Sequence, residues 1–459
     1  MSRRITISTS IPYVNGPPHV GHALEFVQAD VLARAHRAAG DDVRFLTGTD
    51  ENALKNVDAA EAAGLPVAEL VGRNADRFDD LLDALGVSFD VATRTSVDPR
   101  HLAGVEALWR ACADDLYERE YAGLYCSGCE AFVDGPCDEH PGGVEEVVER
   151  NWFFRLSRYQ EQLIELVESG RFRIEPERRR NEVLAFLRAG VHDFSVSRAA
   201  ERARGWGIPV PDDPSQVVYV WFDALANYVT ALGYGTDRAT YDTWWTNADE
   251  RVHVIGKGIL RFHAVYWPAI LLSAGEAVPT QLFVHEYVTL GGAKVSKSGA
   301  AGDDPLELVE TYGADAVRWS LLRDGPHTRD AEVSAASIAA RANELAGQLG
   351  NLVSRTLALG PSAVEPVELS PAVLDALGRF DFRAAAAVVA DAAEDANRLA
   401  SRERPWERDV PGVLARLLGT CVALGDALEP LLPAAAARIR AAVDERDRAA
   451  ARTLFRRAA

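Results

Sequence analysis

Three short constellations in this chain carry residue types that can do chemistry. Cys126-Ser-Gly-Cys129 and Cys137-Asp-Glu-His140 are two pairs, each with two residues between its members. That spacing forms knuckles that place four nitrogen and sulfur ligands tetrahedrally around a zinc ion. Three cysteines and one histidine close the coordination shell and leave no position for water, so one structural Zn²⁺ is expected. A disulfide alternative requires an oxidising compartment. The N-terminal MSRRITISTS has no apolar stretch after its arginines and does not read as a secretory signal. Cys112 and Cys421 read as core residues.

The second constellation is His19-Val-Gly-His22, at the point where a helical pattern begins. A helix N-terminus offers unpaired N–H groups and a partial positive charge, which suit phosphate. The two histidines add donors, and Gly21 lets a flat base approach the backbone. Read alone, the segment is equally two surface histidines at a helix start. The third is Lys294-Val-Ser-Lys-Ser298, a small polar loop with two ammonium groups. It can clamp a triphosphate and follow charge as it builds on a leaving pyrophosphate. Only four of the 49 basic residues are lysine (Lys55, Lys257, Lys294 and Lys297). Such a chain keeps lysine where a compact ammonium does what a planar guanidinium does not, and two of the four stand in this loop.

These residues need a scaffold. Residues 5–11 alternate apolar and small polar groups as a strand does. A turn over Pro12–Pro18 leads into a helix expected from about His22 to Arg37, and Val43–Leu46 is a second strand ending at Thr47-Gly-Thr-Asp50. That is a β-α-β unit of a parallel sheet, whose ligands gather at the carboxyl ends of the strands. Strand signals return at Val217–Trp221 and Val252–Gly256. From about residue 335 the pattern is helical, with Leu414, Leu417, Leu418, Cys421, Leu424 and Leu428 on one face and a break marked by Pro361, Pro366 and Pro371. At 459 residues the chain has room for several cores. No apolar run reaches the roughly 20 residues of a membrane span, so no membrane association and a cytoplasmic location are expected. The net charge of −19 argues against diffuse attraction to nucleic acid but leaves room for a local basic stripe.

In this order and at this separation, the histidine and lysine segments resemble the HIGH and KMSKS signatures of class I aminoacyl-tRNA synthetases. Pro12-Tyr-Val-Asn-Gly-Pro-Pro-His-Val-Gly-His22, Phe45-Leu-Thr-Gly-Thr-Asp-Glu51, Tyr219-Val-Trp-Phe-Asp-Ala224 and Arg261-Phe-His-Ala-Val-Tyr-Trp-Pro268 are similar to methionyl-tRNA synthetases, nearly end to end. The resemblance implies an α/β chain. Residues 1–97 and 219–287 would form a Rossmann-type parallel-sheet catalytic domain, and 98–218 an insertion with the zinc knuckle. Residues 288–347 would carry the lysine loop and contact the tRNA stem, and 348–459 would form a helical anticodon-binding bundle. The implied activity is methionine–tRNA ligation, in which ATP with Mg²⁺ activates L-methionine and the aminoacyl group passes to tRNA(Met) with a CAU anticodon. A monomer is expected.

The family's site carries over by position. His19, His22, Lys294 and Lys297 would be catalytic, and Gly21, Gly256, Gly258, Ser296 and Ser298 would bind ATP. Ile11, Tyr13, Asp50, Arg198, Trp221, Ala224, Leu225, Tyr228, Ile259 and His263 would hold methionine, with Asp50 on its ammonium and Arg198 pairing with Asp50. Asn351, Arg355 and Trp406, with Asn397 nearby, match the anticodon readers. Three places depart from the pattern: Asn52-Ala53 for His-Gly, Gly258 for aspartate, and Gly299-Ala-Ala301 for Leu-Gly-Asn. All three are expected around the nucleotide or the lysine loop. They leave open a paralogue that adenylates an amino acid for another acceptor or pathway, and beyond it a non-catalytic tRNA-binding protein.

Overall fold

The structure, a computed structural model, describes all residues except 1, 127–130, 134, 137–143, 291–292, 295–303, 361, 409 and 459. It divides into two compact units. The first comprises Met1–Pro17, Val43–Phe78 and Phe89–Val284, and the second Pro18–Asp42, Asp79–Ser88 and His285–Ala459.

The first unit is built on a six-stranded sheet: β1 (Arg4–Thr9), β2 (Asp42–Thr49), β3 (Val91–Arg94), β4 (Arg173–Glu175), β5 (Glu250–Gly256) and β6 (Gln281–His285), in the order β3-β2-β1-β5-β6-β4. β1 runs parallel to β5 with Ile7 opposite Val252, β2 parallel to β3, and β6 parallel to β4. Every residue of β1 from Ile5 to Thr9 is buried, the pattern of a strand covered on both faces. β1 stops at Thr9, two residues before the expected end, and β2 runs three residues beyond Leu46.

Residues 98–218 fall in the first unit and supply the edge strand β4, so the segment expected as a separate insertion is woven into the central sheet. It opens with helix α2 (Pro99–Ala111), which follows α1 (Val20–Ala38) of the second unit. Asp98 caps α2 by accepting from the Arg100 N–H at 2.9 Å, and Pro99 stands in the first turn. A long antiparallel pair follows, Leu116–Cys126 against Val144–Phe154. Val217–Trp221, expected as one strand, divides in two. The strand Asp213–Val218 ends, Tyr219 is an N-cap, and helix α3 (Val220–Thr230) begins. A short β-branched and aromatic run does not distinguish strand from helix by itself. Here the buried face of α3 decides, with Phe222, Ala226 and Val229 recurring at helical spacing.

In the second unit a hairpin pairs Val288–Leu290 with Ala293–Lys294, setting Thr289 opposite Lys294. Helices α4 (Ala314–Arg323), α5 (Asn351–Ala358), α6 (Phe382–Glu403) and α7 (Pro411–Ala427) carry the rest. Leu417, Leu418, Cys421, Leu424 and Leu428 are all buried, as the leucine spacing predicts, with Leu414 half-buried. A buried charge cluster staples α1 to α4: Arg318 Nη2 lies 2.8 Å from Asp30 Oδ2, and Asp30 also accepts from Arg34 Nε at 2.9 Å and the Ser88 N–H at 2.8 Å. Burial pushes the Asp30 carboxyl up, but Arg318, Arg34 and the Ser88 bonds outweigh it and hold it below the usual carboxylate range. Among the described residues no helix is long and apolar enough to cross a membrane.

Candidate active site

The first unit gathers the candidate amino-acid site. Past β1 the chain stays extended: Ser10 N–H donates to Val254 O at 3.2 Å, the Asp50 N–H donates to Pro12 O at 2.9 Å, and Tyr13 forms a parallel bridge with Asp50. Ile11, Tyr13 and Asp50 thus meet at the carboxyl ends of neighbouring strands, where an open α/β sheet holds ligands. Asp50 is 2% exposed, and its carbonyl accepts from Asn56 Nδ2 at 3.2 Å. The adjacent Glu51 is fully buried and accepts from Arg94 Nε at 2.6 Å, Thr49 Oγ1 at 3.0 Å and Ser96 Oγ. Its N–H donates to Thr95 Oγ1 at 2.9 Å, and its carbonyl accepts from Trp206 Nε1 at 2.7 Å. Glu51 therefore fixes the loop from which the Asp50 carboxylate projects. Arg198 is held by donating from Nη1 to Ser195 Oγ at 2.8 Å and Ser197 O at 2.7 Å, with its guanidinium 4.1 Å over the Tyr219 ring.

Trp221, Ala224, Leu225 and Tyr228 recur along α3 at helical spacing and share a face. The Trp221 ring stacks on Phe262 at 3.7 Å with 6° between planes, and Tyr13 meets its edge at 6.2 Å. Among the described residues none makes a hydrogen bond to the buried Trp221 Nε1. Ile259 and His263 follow β5, His263 in a π-helical turn (Phe262–Tyr266). One tautomer satisfies His263: Nδ1–H donates to Ile259 O at 3.0 Å, and Nε2 accepts from the Tyr228 hydroxyl at 2.7 Å. Burial pushes this ring's pKa down to about 4, so it is neutral near neutral pH. The result is an aromatic slot with a polarizable floor, suited to a thioether.

Some residues that build this slot escaped the sequence reading. Phe262 and His253 gave no signal of their own. The His253 ring lies tilted against Tyr228 with centroids 4.1 Å apart, accepts from Trp267 Nε1 at 3.2 Å and meets Ser8 Oγ at 2.6 Å. Burial, then His263, lowers its pKa well below that of a free imidazole. Lys55 sits with Nζ 4.9 Å from the Tyr13 ring centroid; the scarcity of lysine was its available signal. Asn52, one of the three departures, stands against α3, donating to Asp223 Oδ2 at 2.7 Å, on the helix that carries the slot. Gly258 is exposed in a 3₁₀ turn just after Gly256 closes β5.

In the second unit His19 is the N-cap of α1, which starts two residues earlier than expected. Its Nδ1 accepts from the Gly21 N–H at 3.1 Å, while His22 Nδ1 accepts from the His19 N–H at 3.1 Å, and the rings stack at 3.7 Å. With both Nδ1 atoms accepting, each ring carries its proton on Nε2 and presents that N–H as a donor. A Cβ at Gly21 would meet His19 Cε1 at 2.9 Å, so glycine permits the cap. Further along α1, Glu25 Oε2 lies 3.0 Å from His285 Nε2, whose Nδ1–H donates to Glu286 O at 2.9 Å. This buried pair ties α1 to the segment leading into the Val288–Lys294 hairpin. Lys294 pairs in that hairpin through its backbone. Lys297, Ser296, Ser298 and Gly299–Ala301 lie outside the described residues, as do Cys129, Cys137 and His140.

Cys126 is described: reduced, fully buried, and paired opposite Ala131 where two antiparallel strands end. In the helical region Asn351 opens α5 on the surface, and Arg355, one turn on, holds its guanidinium 4.7 Å over the ring of Trp406, which is 45% exposed. Asn397 donates to Gln348 O at 3.1 Å and Ala393 O at 2.9 Å, clamping the π-helical turn before α5.

Residues 5–140 and 137–357 match the sequence family described as tRNA synthetases class I (M). The methionine–tRNA ligase of Mycobacterium leprae is 38% identical over 478 residues, spanning 94% of this chain and 88% of that protein. That of Brucella suis is 43% identical over 373 residues, spanning 78% of this chain and 71% of that protein. Among solved structures, Mycobacterium tuberculosis methionyl-tRNA synthetase in complex with methionyl-adenylate superposes with a TM-score of 0.85 at 37% identity, covering 95% of this chain and 93% of that one. Fold and sequence agree, and the chain belongs to the class I (M) tRNA synthetases, the family of the methionine–tRNA ligases.

Proposed function

We propose that this chain is a methionine–tRNA ligase, which activates L-methionine with ATP to methionyl-adenylate and transfers the aminoacyl group to tRNA(Met). The observation that carries the reading is the first unit's slot, where a buried carboxylate, Asp50, accompanies an aromatic chamber. The carboxylate takes the ammonium with the Ile11 carbonyl, and Arg198 is its counter-charge. Trp221, Tyr13, Tyr228, Ile259 and His263, with Ala224 and Leu225, enclose the thioether. Neutral His263 accepts the Tyr228 hydroxyl proton, so the chamber presents uncharged, polarizable rings to the sulfur.

In the first step the methionine carboxylate attacks the α-phosphate in line, and pyrophosphate leaves. The Nε2–H groups of His19 and His22 donate to phosphate oxygens at the α1 N-terminus, Gly21 admits the adenine, and Gly256 and Gly258 border the nucleotide. Lys297, assisted by Lys294, Ser296 and Ser298, follows charge onto the pyrophosphate. Mg²⁺ accompanies ATP on its phosphates. No covalent enzyme intermediate is needed, since positioning and electrostatics suffice. A terminal ribose hydroxyl of the tRNA then displaces AMP. Asn351, Arg355 and Trp406 read the CAU anticodon, an unstacked base resting on the exposed indole. Cys126, Cys129, Cys137 and His140 hold a structural zinc that orders the knuckle without taking part in the reaction. The buried, reduced Cys126 at its strand end supports that assignment.

Amino-acid-dependent ATP–pyrophosphate exchange, run with and without tRNA(Met), tests the reading. Exchange with L-methionine, followed by charging of a CAU transcript, is expected. Exchange without charging would point to another acceptor, and no exchange with any amino acid would remove the enzyme assignment.

A further inference from the structure

A buried polar chain runs beneath the slot, and none of its members has a place in the reaction above. Asp223 is fully buried on α3, between Trp221 and Ala224 in sequence. With Asn227 and Thr230 it forms a strip distinct from the slot face, four and then three residues apart. His101, also fully buried, comes from α2 and places Nε2 2.6 Å from Asp223 Oδ1 and Nδ1 2.8 Å from Thr230 Oγ1. The second carboxylate oxygen, Oδ2, accepts from Asn52 Nδ2 at 2.7 Å, and that amide also reaches Thr95 O at 3.3 Å. Asn52 lies two residues past Asp50, in the loop from which the Asp50 carboxylate projects.

The packing leaves this chain little freedom. Gly104 is one turn beyond His101 on α2, and a Cβ there would stand 2.4 Å from Thr230 Cγ2 and 2.8 Å from Tyr234 O. The helices therefore approach as closely as glycine allows. Moving Asp223 by a fraction of an ångström breaks bonds at both oxygens. A buried carboxylate that loses a partner is left with an uncompensated charge, so its neighbours hold it in one place. Two parts of the slot are joined through that fixed point: the Asp50 loop by Asn52, and the aromatic face of α3 by the helix itself.

We infer that Asn52, Asp223 and His101 are positioning residues that set the distance between the carboxylate and aromatic ends of the methionine slot. The inference rests on the assignment of that slot to methionine. Each acts on the slot through the elements that carry it, the Asp50 loop and α3. Their joint function is to keep Asp50 and Trp221–Tyr228 in register, so that ammonium and thioether are engaged together. The departure at residue 52 thus bears on amino-acid recognition.

The test is steady-state ATP–pyrophosphate exchange on the full chain, with KM for methionine and for ATP measured separately. Asn52→Ala is chosen because residue 52 is half-buried and the variant is expected to fold, with its melting temperature lowered by only a few degrees. One lost hydrogen bond to a charged group should raise KM for methionine about tenfold or more, with KM for ATP within about twofold. Thr230→Val, which removes the partner of the far histidine nitrogen, should raise it less, and the double variant should show less than the product of the two effects. An unchanged KM for methionine, an equal rise in both constants, or strictly multiplicative effects would each overturn the inference. Wild-type protein without methionine-dependent exchange would instead overturn the assigned activity and take this inference with it.

Discussion

The slot around Trp221 and the Arg355–Trp406 pair both rest on an indole, and they use it in opposite ways. In the slot the ring is half-buried and stacked on Phe262, and the hydrogen bonds behind it are arranged before any ligand arrives. His263 has a fixed tautomer, Glu51 fixes the loop of Asp50, and Asn52 with His101 fixes the helix. Trp406 is 45% exposed, with one guanidinium over its ring. A small ligand that must be told from its isosteres needs walls that do not give, and their rigidity has to come from groups beyond the contact surface. A nucleobase is large, flat and delivered by a polymer, so an open ring can meet it. In the proposed methionine site the decisive residues therefore extend behind the surface. In the proposed anticodon reader they are the surface.

The largest expected effect comes from removing the charge the slot is built around. Asp50→Asn keeps shape and volume but replaces a carboxylate with an amide whose N–H₂ opposes the methionine ammonium. Loss of a charged hydrogen bond is worth roughly 1.5–3 kcal/mol, so kcat/KM for methionine in exchange should fall about 100-fold. Charging should fall in parallel while affinity for tRNA stays at the wild-type value. A tRNA Kd that shifts along with it would break the separation between the two regions.

Acid should damage the slot and leave the exposed pair alone, because neither arginine nor tryptophan titrates in the relevant range. His263 is held neutral by burial, with its pKa near 4. When the chain unfolds, the ring regains a pKa of about 6.5. The unfolded state then binds the proton more readily, so this contribution to stability is complete above about pH 6.5 and is lost as pH falls toward the folded value. His253 acts in the same direction. Between about pH 7 and pH 4.5 the first unit should lose roughly 2 kcal/mol through His263. Urea titrations followed by tryptophan fluorescence would measure it, and His263→Gln should flatten the dependence. Equal slopes in the two proteins would show that the folded ring titrates like the unfolded one, so burial does not hold it neutral.

The same contrast explains what could be read from sequence. The histidine cap was legible because its chemistry is local: a capping histidine needs only Gly21 and His22 beside it, and all three fall within four residues. Trp406 and Arg355 were legible only as family positions, yet one contact makes the pair. The slot's support was not legible, since Asn52, His101 and Asp223 are joined over as many as 171 residues by single hydrogen bonds, and no periodicity encodes such a pairing. Asn52 was visible as a departure, but its bond to Asp223 was not, because sequence order gives proximity to Asp50 without direction. The strand–helix division at Tyr219 failed for a related reason: aromatic and β-branched residues favour strands, and only packing of the buried α3 face selects a helix. Interlacing of residues 98–218 with the sheet was likewise invisible, resting on the three residues of β4.

The smallest effects belong to the exposed pair, and they sharpen the contrast most. Trp406→Ala should lower charging of a CAU transcript by about 5- to 150-fold, the range of one lost base–aromatic stack, and leave methionine-dependent exchange intact. Arg355→Lys is subtler. It preserves the charge near the RNA but removes the plane that lies 4.7 Å over the indole. A cation–π contact at an exposed site is worth about 0.5–1 kcal/mol, and an ammonium retains part of it, so charging should fall by about two- to fivefold. Salt resolves what remains: if arginine contributes only Coulomb attraction to phosphate, the lysine variant matches wild type at every ionic strength. If it presets the ring, the deficit persists at high salt, where screening has removed the long-range term. A deficit in exchange from either substitution would mean that the exposed ring, too, is part of a rigid support, and the contrast between the two regions would fail.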